Sequence, residues 1–97
     1  MNRQDALSSV GKGWATIINN LYDAKPKTTL VIQVKEKFGG LRFYVGSAPD
    51  WYFDLITFYE HQSRGICEEC GAKGETISFR GWLKTLCDKC EDKWNKQ

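Results

Sequence analysis

Four cysteines in the last third of this 97-residue chain are the residues whose type and spacing most directly indicate chemistry. They form two Cys-x2-Cys pairs, and the chain has no other cysteine: Cys67, Cys70, Cys87 and Cys90. Four thiolates at such a spacing fill a tetrahedral coordination sphere around Zn²⁺ and leave no open position for water or a substrate. The pattern therefore predicts a structural zinc site, which stabilises a segment too short to build much core of its own.

The segments around the cysteines predict a compact C-terminal module, residues 67–97. Cys67 to Gly71 has the form of a zinc knuckle, and 76–79 and 83–86 read as short strands with Trp82 near their turn. The second cysteine pair leads into a polar tail with helical character. This order is typical of a treble-clef finger, and a zinc ribbon with two knuckles and no helix is the alternative. We expect Trp82 to cover the metal site or to dock it on the rest of the chain.

Residues 4–22 show the apolar spacing of an amphipathic helix. The apolar positions are Leu7, Val10, Trp14, Ile17, Ile18 and Leu21. Gly11 and Gly13 weaken this helix, because a glycine in a helix interior costs about 1 kcal/mol. We therefore expect the helix to begin nearer Lys12, and Pro26 ends the element.

Two strands are predicted at 28–37 and 41–46, joined as a hairpin at Gly39-Gly40, since both glycines tolerate positive φ. The alternating apolar residues, which we expect to face the core, are Leu30, Ile32 and Val34 on the first strand and Leu41, Phe43 and Val45 on the second. Ser47-Ala48-Pro49-Asp50 then resembles a capping box, with Asp in the usual Glu or Gln position.

A second long helix is predicted from this capping box to about Ser63, with an apolar face formed by Trp51, Leu55, Phe58 and Tyr59. Together the elements predict one α+β domain over residues 1–97. Residues 1–66 form an α/β part in which the helices pack on a small antiparallel sheet or hairpin, and the C-terminal module is fused to it.

The charge of the chain argues against a polyanion as its main partner. Fourteen basic and twelve acidic residues give a formal charge of +2. Four thiolates and one Zn²⁺ would bring this sum to about zero, whereas nucleic-acid-binding domains usually carry a clear basic excess. The first ten residues lack the apolar core of a secretory signal, which predicts a cytoplasmic protein with reduced, metal-bound cysteines rather than disulfides.

We expect no catalytic activity. The single histidine, His61, has no cluster of further ligands or bases near it in the sequence. Gly11-Lys12-Gly13 is too short for a phosphate-binding loop and follows no strand. The leading hypothesis is a protein-binding module, because exposed aromatic and arginine side chains are typical interaction hot spots. The alternative is a nucleic-acid-binding zinc finger, in which the same basic and aromatic side chains contact phosphates and bases.

The predicted contact surface combines the Lys35–Tyr44 hairpin with aromatic residues of the second long helix. Its members are Lys35, Lys37, Arg42, Tyr44, Trp51, Tyr52 and Tyr59.

Several segments together resemble a family of small zinc-finger proteins of bacteria and their phages. They are Gly-x-Gly-Trp at 11–14, Gln-Val-Lys-Glu-Lys-Phe-Gly-Gly-Leu-Arg-Phe-Tyr at 33–44, Cys-x-x-Cys-Gly at 67–71 and Gly-Trp-x-x-Thr-Leu-Cys at 81–87. The resemblance extends over residues 11–90. The family has no established activity, so the resemblance implies a unitary fold and a mobile-element origin. A phage origin in turn favours a modulator or inhibitor of a host protein, including a defence protein.

Overall fold

The structure of the chain is a computed structural model, and it describes residues 1–96. Within them the fold is α+β, as predicted, with four α-helices, one short 3-10 helix and two separate two-stranded antiparallel sheets. The elements in chain order are α1 Arg3–Ser8, the 3-10 turn Lys12–Trp14, α2 Ala15–Ala24, β1 Val31–Lys37, β2 Gly40–Val45, α3 Asp50–Ser63, β3 Glu75–Phe79, β4 Trp82–Leu86 and α4 Asp88–Asn95. No helix among these residues is long and apolar enough to cross a membrane.

The first predicted helix is divided into α1 and α2 by the segment that contains Gly11 and Gly13. Asn2 begins α1, because its side-chain oxygen accepts a hydrogen bond from the Asp5 N–H at 2.8 Å. The apolar residues of α2, together with Trp14, lie in the main core as predicted. The helix is interrupted at Gly11 and Gly13, which lie directly against the backbone of residues 67 and 68.

β1 and β2 form the predicted hairpin, but its turn lies one residue earlier than expected. Lys37 pairs with Gly40, so the two turn residues are Phe38 and Gly39. Both have positive φ, 54° and 81°, as in a type I′ turn. The β3–β4 hairpin repeats this geometry, with Arg80 and Gly81 at φ 52° and 88°.

The predicted core face of β1 is wrong. Leu30 and Ile32 are exposed, while Val31 and Val34 are buried. A register irregularity between Val31 and Gln33 places an extra residue on β1, which shifts the alternation by one position. On β2 the prediction is confirmed for Leu41 and Phe43, which are buried.

Helix α3 has the predicted extent, but of its predicted apolar face only Leu55 and Tyr59 pack against the core, and they are partly buried. Tyr52 and Ile56 point into the core, whereas Trp51 and Phe58 are each 53% exposed. Aromatic residues occur on several sides of α3, so apolar spacing alone did not select the buried side. The predicted capping box is also absent, since Pro49 is the N-cap residue and makes no side-chain hydrogen bond.

Side chains at the end of α3 pair with the outer edge of β2. Ser63 Oγ accepts from the Leu41 N–H and Glu60 Oε2 from the Phe43 N–H, both at 2.9 Å. These bonds satisfy backbone donors that a two-stranded sheet leaves unpaired and hold the hairpin on α3.

Candidate metal centre and the adjoining surface

The fold brings all four cysteines together. Their sulfur atoms lie within 4.8 Å of one another, and Cys70 Sγ is 3.6 Å from Cys87 Sγ. A tetrahedron with metal–sulfur bonds of about 2.3 Å has edges of about 3.8 Å. The cluster therefore has the size of a four-thiolate metal site and could hold a metal ion.

The cluster is assembled from a knuckle and a helix N-terminus. In the knuckle, the Gly71 N–H donates to the Cys67 carbonyl at 2.9 Å, and Gly71 has a φ of 87° that suits glycine. Cys87 is the N-cap residue of α4 and Cys90 lies in its first turn. The order of knuckle, β-hairpin and helix is that of a treble clef. The partial positive charge of a helix N-terminus favours thiolates at this position.

The crowded sulfurs differ in their affinity for protons. Burial acts to raise the pKa of Cys67, but backbone N–H groups, those of Cys87 and Cys70 first, outweigh it and lower that pKa to about 7. Burial and contacts with the other three thiols raise the pKa of Cys90 to about 12. One of the thiols therefore loses its proton readily. Four thiolates so close together would repel one another, so all four can be deprotonated at once only with a cation between them.

Two glycines explain how the knuckle docks on the N-terminal helices. The Gly13 N–H donates to the Glu68 carbonyl at 2.9 Å. A Cβ on Gly13 would lie 1.9 Å from the Cys67 carbonyl oxygen, and one on Gly11 would lie 2.1 Å from that of Glu68. Trp14 completes the contact by donating from Nε1 to the Ile66 carbonyl at 2.9 Å. The Gly-x-Gly-Trp segment thus allows two backbones to approach more closely than any side chain would permit.

Glu68, between the first two cysteines, ties the knuckle to β4. Its carboxylate forms an ion pair with Lys84 Nζ at 2.9 Å and accepts from the Thr85 N–H at 3.0 Å. Lys84 Nζ also lies 4.5 Å from the centre of the Trp94 ring on α4. Glu68 is 5% exposed, so these contacts are made largely out of water. Glu68 was not predicted from the sequence, because nothing in the local pattern distinguishes a buried glutamate between two cysteines from an exposed one.

A pair of threonine hydroxyls, of which that of Thr85 is buried, joins the two hairpins. Thr85 Oγ1 donates to the Gly39 carbonyl at 2.6 Å and lies 2.7 Å from Thr76 Oγ1. Because the Thr85 proton is directed at Gly39, Thr85 Oγ1 can only accept from Thr76, whose hydroxyl also lies 3.4 Å from the Arg64 carbonyl oxygen. Arg64 adds a bond from its guanidinium to the Phe38 carbonyl at 3.1 Å. The turn of the first hairpin is therefore held against the second hairpin.

This docking leaves three large apolar side chains exposed beside one another. We call Phe38, Trp82 and Leu83 the tip surface, because they lie at the tips of the two hairpins. Phe38 is 60% and Trp82 75% exposed. They line a cleft of about 510 Å³ together with Glu36, Lys37 and Gly81. Of the two roles predicted for Trp82, covering the metal site is therefore wrong, since its side chain is largely exposed at the start of β4. The docking contacts described above are made by Gly13, Trp14 and Thr85.

The predicted contact residues lie in two places, because the strand register puts Lys35, Lys37, Arg42 and Tyr44 on one face of the first hairpin and the rest are elsewhere. Lys35 Nζ lies 5.8 Å from the centre of the Tyr44 ring, so these two meet on the outer face of the first hairpin. Arg42 lines a small pocket with residues 60, 61 and 64, and Lys37 belongs to the rim of the tip surface. The other three are on α3.

Of the α3 residues in the predicted surface, only Trp51 is well exposed. Tyr59 is half-buried and its hydroxyl accepts from Asn20 Nδ2 at 3.3 Å. Tyr52 is a correction, because it is fully buried and its hydroxyl donates to the Leu21 carbonyl at 2.6 Å. Tyr52 is therefore a core residue. His61 is exposed near the end of α3.

Comparison of the chain with protein-family models finds no match. Neither curated proteins nor solved structures give a match. The features that indicate a function are therefore the cysteine cluster and the surfaces that the fold exposes.

Proposed function

We propose that this chain is a non-catalytic, zinc-binding interaction module that contacts a protein partner through the tip surface. The observation that carries the proposal is the conformation of Phe38. Its φ of 54° is a region that bulky L-residues rarely adopt, and its ring is 60% exposed. Neither core packing nor turn geometry favours phenylalanine there, since type I′ turns prefer Asn-Gly. Strain of this kind tends to occur at functional positions.

Zinc is the metal that the donor set supports. Four thiolates in a tetrahedral arrangement suit Zn²⁺, and they leave no coordination position for a reacting water. The centre would then act by holding the knuckle, β4 and α4 together. The Glu68 carboxylate accepts from the Thr85 N–H, and the Thr85 hydroxyl donates to the Gly39 carbonyl. These two bonds connect the knuckle to the turn that presents Phe38.

The tip surface supports a macromolecular partner rather than a small substrate. Trp82 and Phe38 are large and rigid, and clustered exposed apolar side chains mark interaction sites on small proteins. The resemblance to bacterial and phage zinc-finger proteins supports a finer proposal. In it, the module of a phage or prophage modulates or inhibits a host protein, such as a defence factor.

The metal part is tested by measuring bound zinc per chain and then removing it with a chelator. We expect one zinc per chain, with loss of ordered amide signals from the C-terminal module on chelation. Cys70→Ser should lower zinc occupancy in the same way. Lys89→Ser, an exposed change between the second pair of cysteines, should retain both. Unchanged order in excess chelator would contradict a structural metal.

The contact surface is tested with two substitutions that spare the fold. Phe38→Asn removes the ring and gives the turn its preferred Asn-Gly sequence, so we expect equal or higher stability. Trp82→Ser removes the largest exposed ring. Proteins captured from host lysate by the zinc-loaded wild type should be lost with both variants and kept with Trp51→Ser, an exposed tryptophan on α3. Loss with Trp51→Ser alone would place the contact on α3 and refute the tip surface.

A further inference from the structure

The four cysteines of the cluster differ in their access to solvent. Cys70 is exposed, whereas Cys67 is buried and the other two are half-buried. We propose that Cys70 is an oxidation site, at which a peroxide joins Cys70 to Cys87 by a disulfide bond and opens the metal centre. This inference rests on the proposed function, since it concerns the zinc-loaded chain.

A cleft gives small molecules access to Cys70. It has a volume of about 450 Å³, lies where α2 and α3 meet the knuckle, and its lining includes Thr16, Phe58, Cys70 and Gly71. Thr16 and Phe58 are exposed, so the cleft is open to solvent. The cysteines that oxidants attack are exposed and have thiolate character. A bound metal keeps its cysteine ligands deprotonated, so Cys70 meets both conditions.

Cys87 lies within reach of the oxidised Cys70. Their sulfur atoms are 3.6 Å apart, and a disulfide bond is about 2 Å long, so a small side-chain rotation joins them. The Cys70 sulfur attacks one oxygen of the peroxide, the O–O bond breaks and hydroxide leaves, which makes Cys70 a sulfenic acid. The Cys87 sulfur then attacks the Cys70 sulfur, the S–O bond breaks and a second hydroxide leaves. The two sulfurs together give two electrons to the peroxide, and the two hydroxides take up protons from solvent to form water.

Formation of the bond should release α4 from the C-terminal module. The thiolate is the form of cysteine that binds a metal, so only Cys67 and Cys90 remain as ligands, which is half of a tetrahedral set. Helix α4 has 8 residues and buries none of them. Helices of this length are not stable in water without further support. We therefore expect α4 to unfold on oxidation, while the new bond keeps the knuckle attached to the end of β4.

The test treats the zinc-loaded full chain with a small molar excess of hydrogen peroxide. A chromogenic chelator reports released zinc, a thiol reagent counts the remaining thiols, and proteolysis with mass spectrometry identifies the linked cysteines. We expect release of zinc, loss of two thiols, a link between Cys70 and Cys87, and collapse of the NMR amide signals of α4. A thiol reductant with added zinc should restore the starting state.

Histidine substitutions separate the oxidation site from the metal site, since histidine binds zinc but forms no disulfide bond. Cys70→His should bind the metal and release it under peroxide at least about tenfold more slowly than the wild type. Cys90→His changes the ligand set to the same extent but keeps both partners of the bond, so the Cys70–Cys87 link should still form. If Cys70→His binds no zinc, the linked peptides of the wild type decide the question.

The outcomes separate this inference from the proposed function. A link within either Cys-x2-Cys pair, or equally fast release from Cys70→His and the wild type, overturns the assignment of the site. Retention of zinc and of all four thiols under peroxide also overturns it, and the proposed function still stands because the metal is then bound. A chain that holds no zinc before peroxide is added overturns both this inference and the structural metal of the proposed function.

Discussion

The hydroxyl of Thr85 donates to the carbonyl of Gly39 at 2.6 Å, across 46 positions of the chain and out of contact with water. Through this bond the turn of the first hairpin lies against the middle of the second. Phe38 precedes Gly39, and Trp82 is three residues before Thr85. This bond therefore helps to hold the two parts of the tip surface side by side.

Replacing this threonine by valine tests the junction directly. Thr85→Val keeps the shape of the side chain but leaves the buried Gly39 carbonyl without its hydroxyl donor, and the Thr76 hydroxyl keeps only its 3.4 Å contact with the Arg64 carbonyl. Such buried unsatisfied groups cost about 1–3 kcal/mol of unfolding free energy. Urea denaturation should show this loss, and the amide signal of Gly39 should shift. Thr57→Val, on an exposed position of α3, is the control and should have little effect. Equal stability of the two variants would mean that the junction does not depend on the hydroxyl.

A methyl group at Gly13 should separate the knuckle from the N-terminal helices. In Gly13→Ala the new Cβ would lie 1.9 Å from the Cys67 carbonyl oxygen and 2.7 Å from the Gly71 nitrogen, both in the rigid backbone of the knuckle. Overpacking of this kind costs about 1–3 kcal/mol or more. We expect lower stability together with weaker metal retention, measured by competition with a chromogenic chelator.

The matched control for this change is Gly65→Ala. The new methyl group would lie 3.7 Å from the Gln62 carbonyl oxygen, its nearest atom outside the chain neighbours, which is an ordinary contact. Gly65→Ala should therefore retain both stability and metal. A Gly13→Ala protein that matches it in both measurements would contradict the close approach.

Neutralising Glu68 should weaken the link between the metal knuckle and β4. Glu68→Gln can still accept from the Thr85 N–H but loses the charge that faces Lys84. The pair is mostly buried, with 7% side-chain exposure for Glu68 and 19% for Lys84, so we expect a loss of about 1–3 kcal/mol. Arg3→Gln, which breaks the exposed pair with Asp23, should cost at most about 1 kcal/mol. Thermal or urea unfolding compares the two, and a larger effect of Arg3→Gln would refute the linking role.

The buried phenol of Tyr52 should make stability fall at high pH. Burial, and to a smaller extent the proximity of Tyr22, raises the pKa of Tyr52 from 10.0 to about 12. Below about pH 10 both the folded and the unfolded phenol are protonated, so the contribution is complete. Above that pH the unfolded phenol ionises first, and the contribution is lost as the pH rises towards 12.

This dependence is measured as the difference in unfolding free energy between about pH 9 and about pH 11. The wild type should lose more over this interval than Tyr52→Phe, which has no phenol to ionise at this position. Tyr44→Phe, at an exposed ring, should behave like the wild type. Identical slopes for wild type and Tyr52→Phe would show that the folded phenol ionises normally.

The elements that were predicted correctly are those that depend on residues close to one another in the sequence. The cysteine spacing predicted the knuckle, and the structure confirms that all four sulfurs meet. The glycines after Phe38 predicted a hairpin, and the periodicity of 4–22 predicted a helix, which the structure divides into α1 and α2. The errors concern which face of an element is buried. On β1 an extra residue shifts the alternation, so that Ile32 is exposed, and on α3 aromatic residues occur on more than one side of the helix.

By itself, the sequence determined the cysteine cluster that could hold a metal ion, the hairpins and the α+β class, because these depend on residue type and on spacing within a few positions. Only the tertiary structure decided the roles of Gly13, Glu68 and Thr85, since their contacts join segments that are far apart in the chain. Glu68 and Thr85 are 17 positions apart, and Thr85 and Gly39 are 46. The same packing decided that Tyr52 is buried while Phe38 and Trp82 are exposed. Exposure depends on which elements pack against which, and no local pattern in this chain encodes that choice.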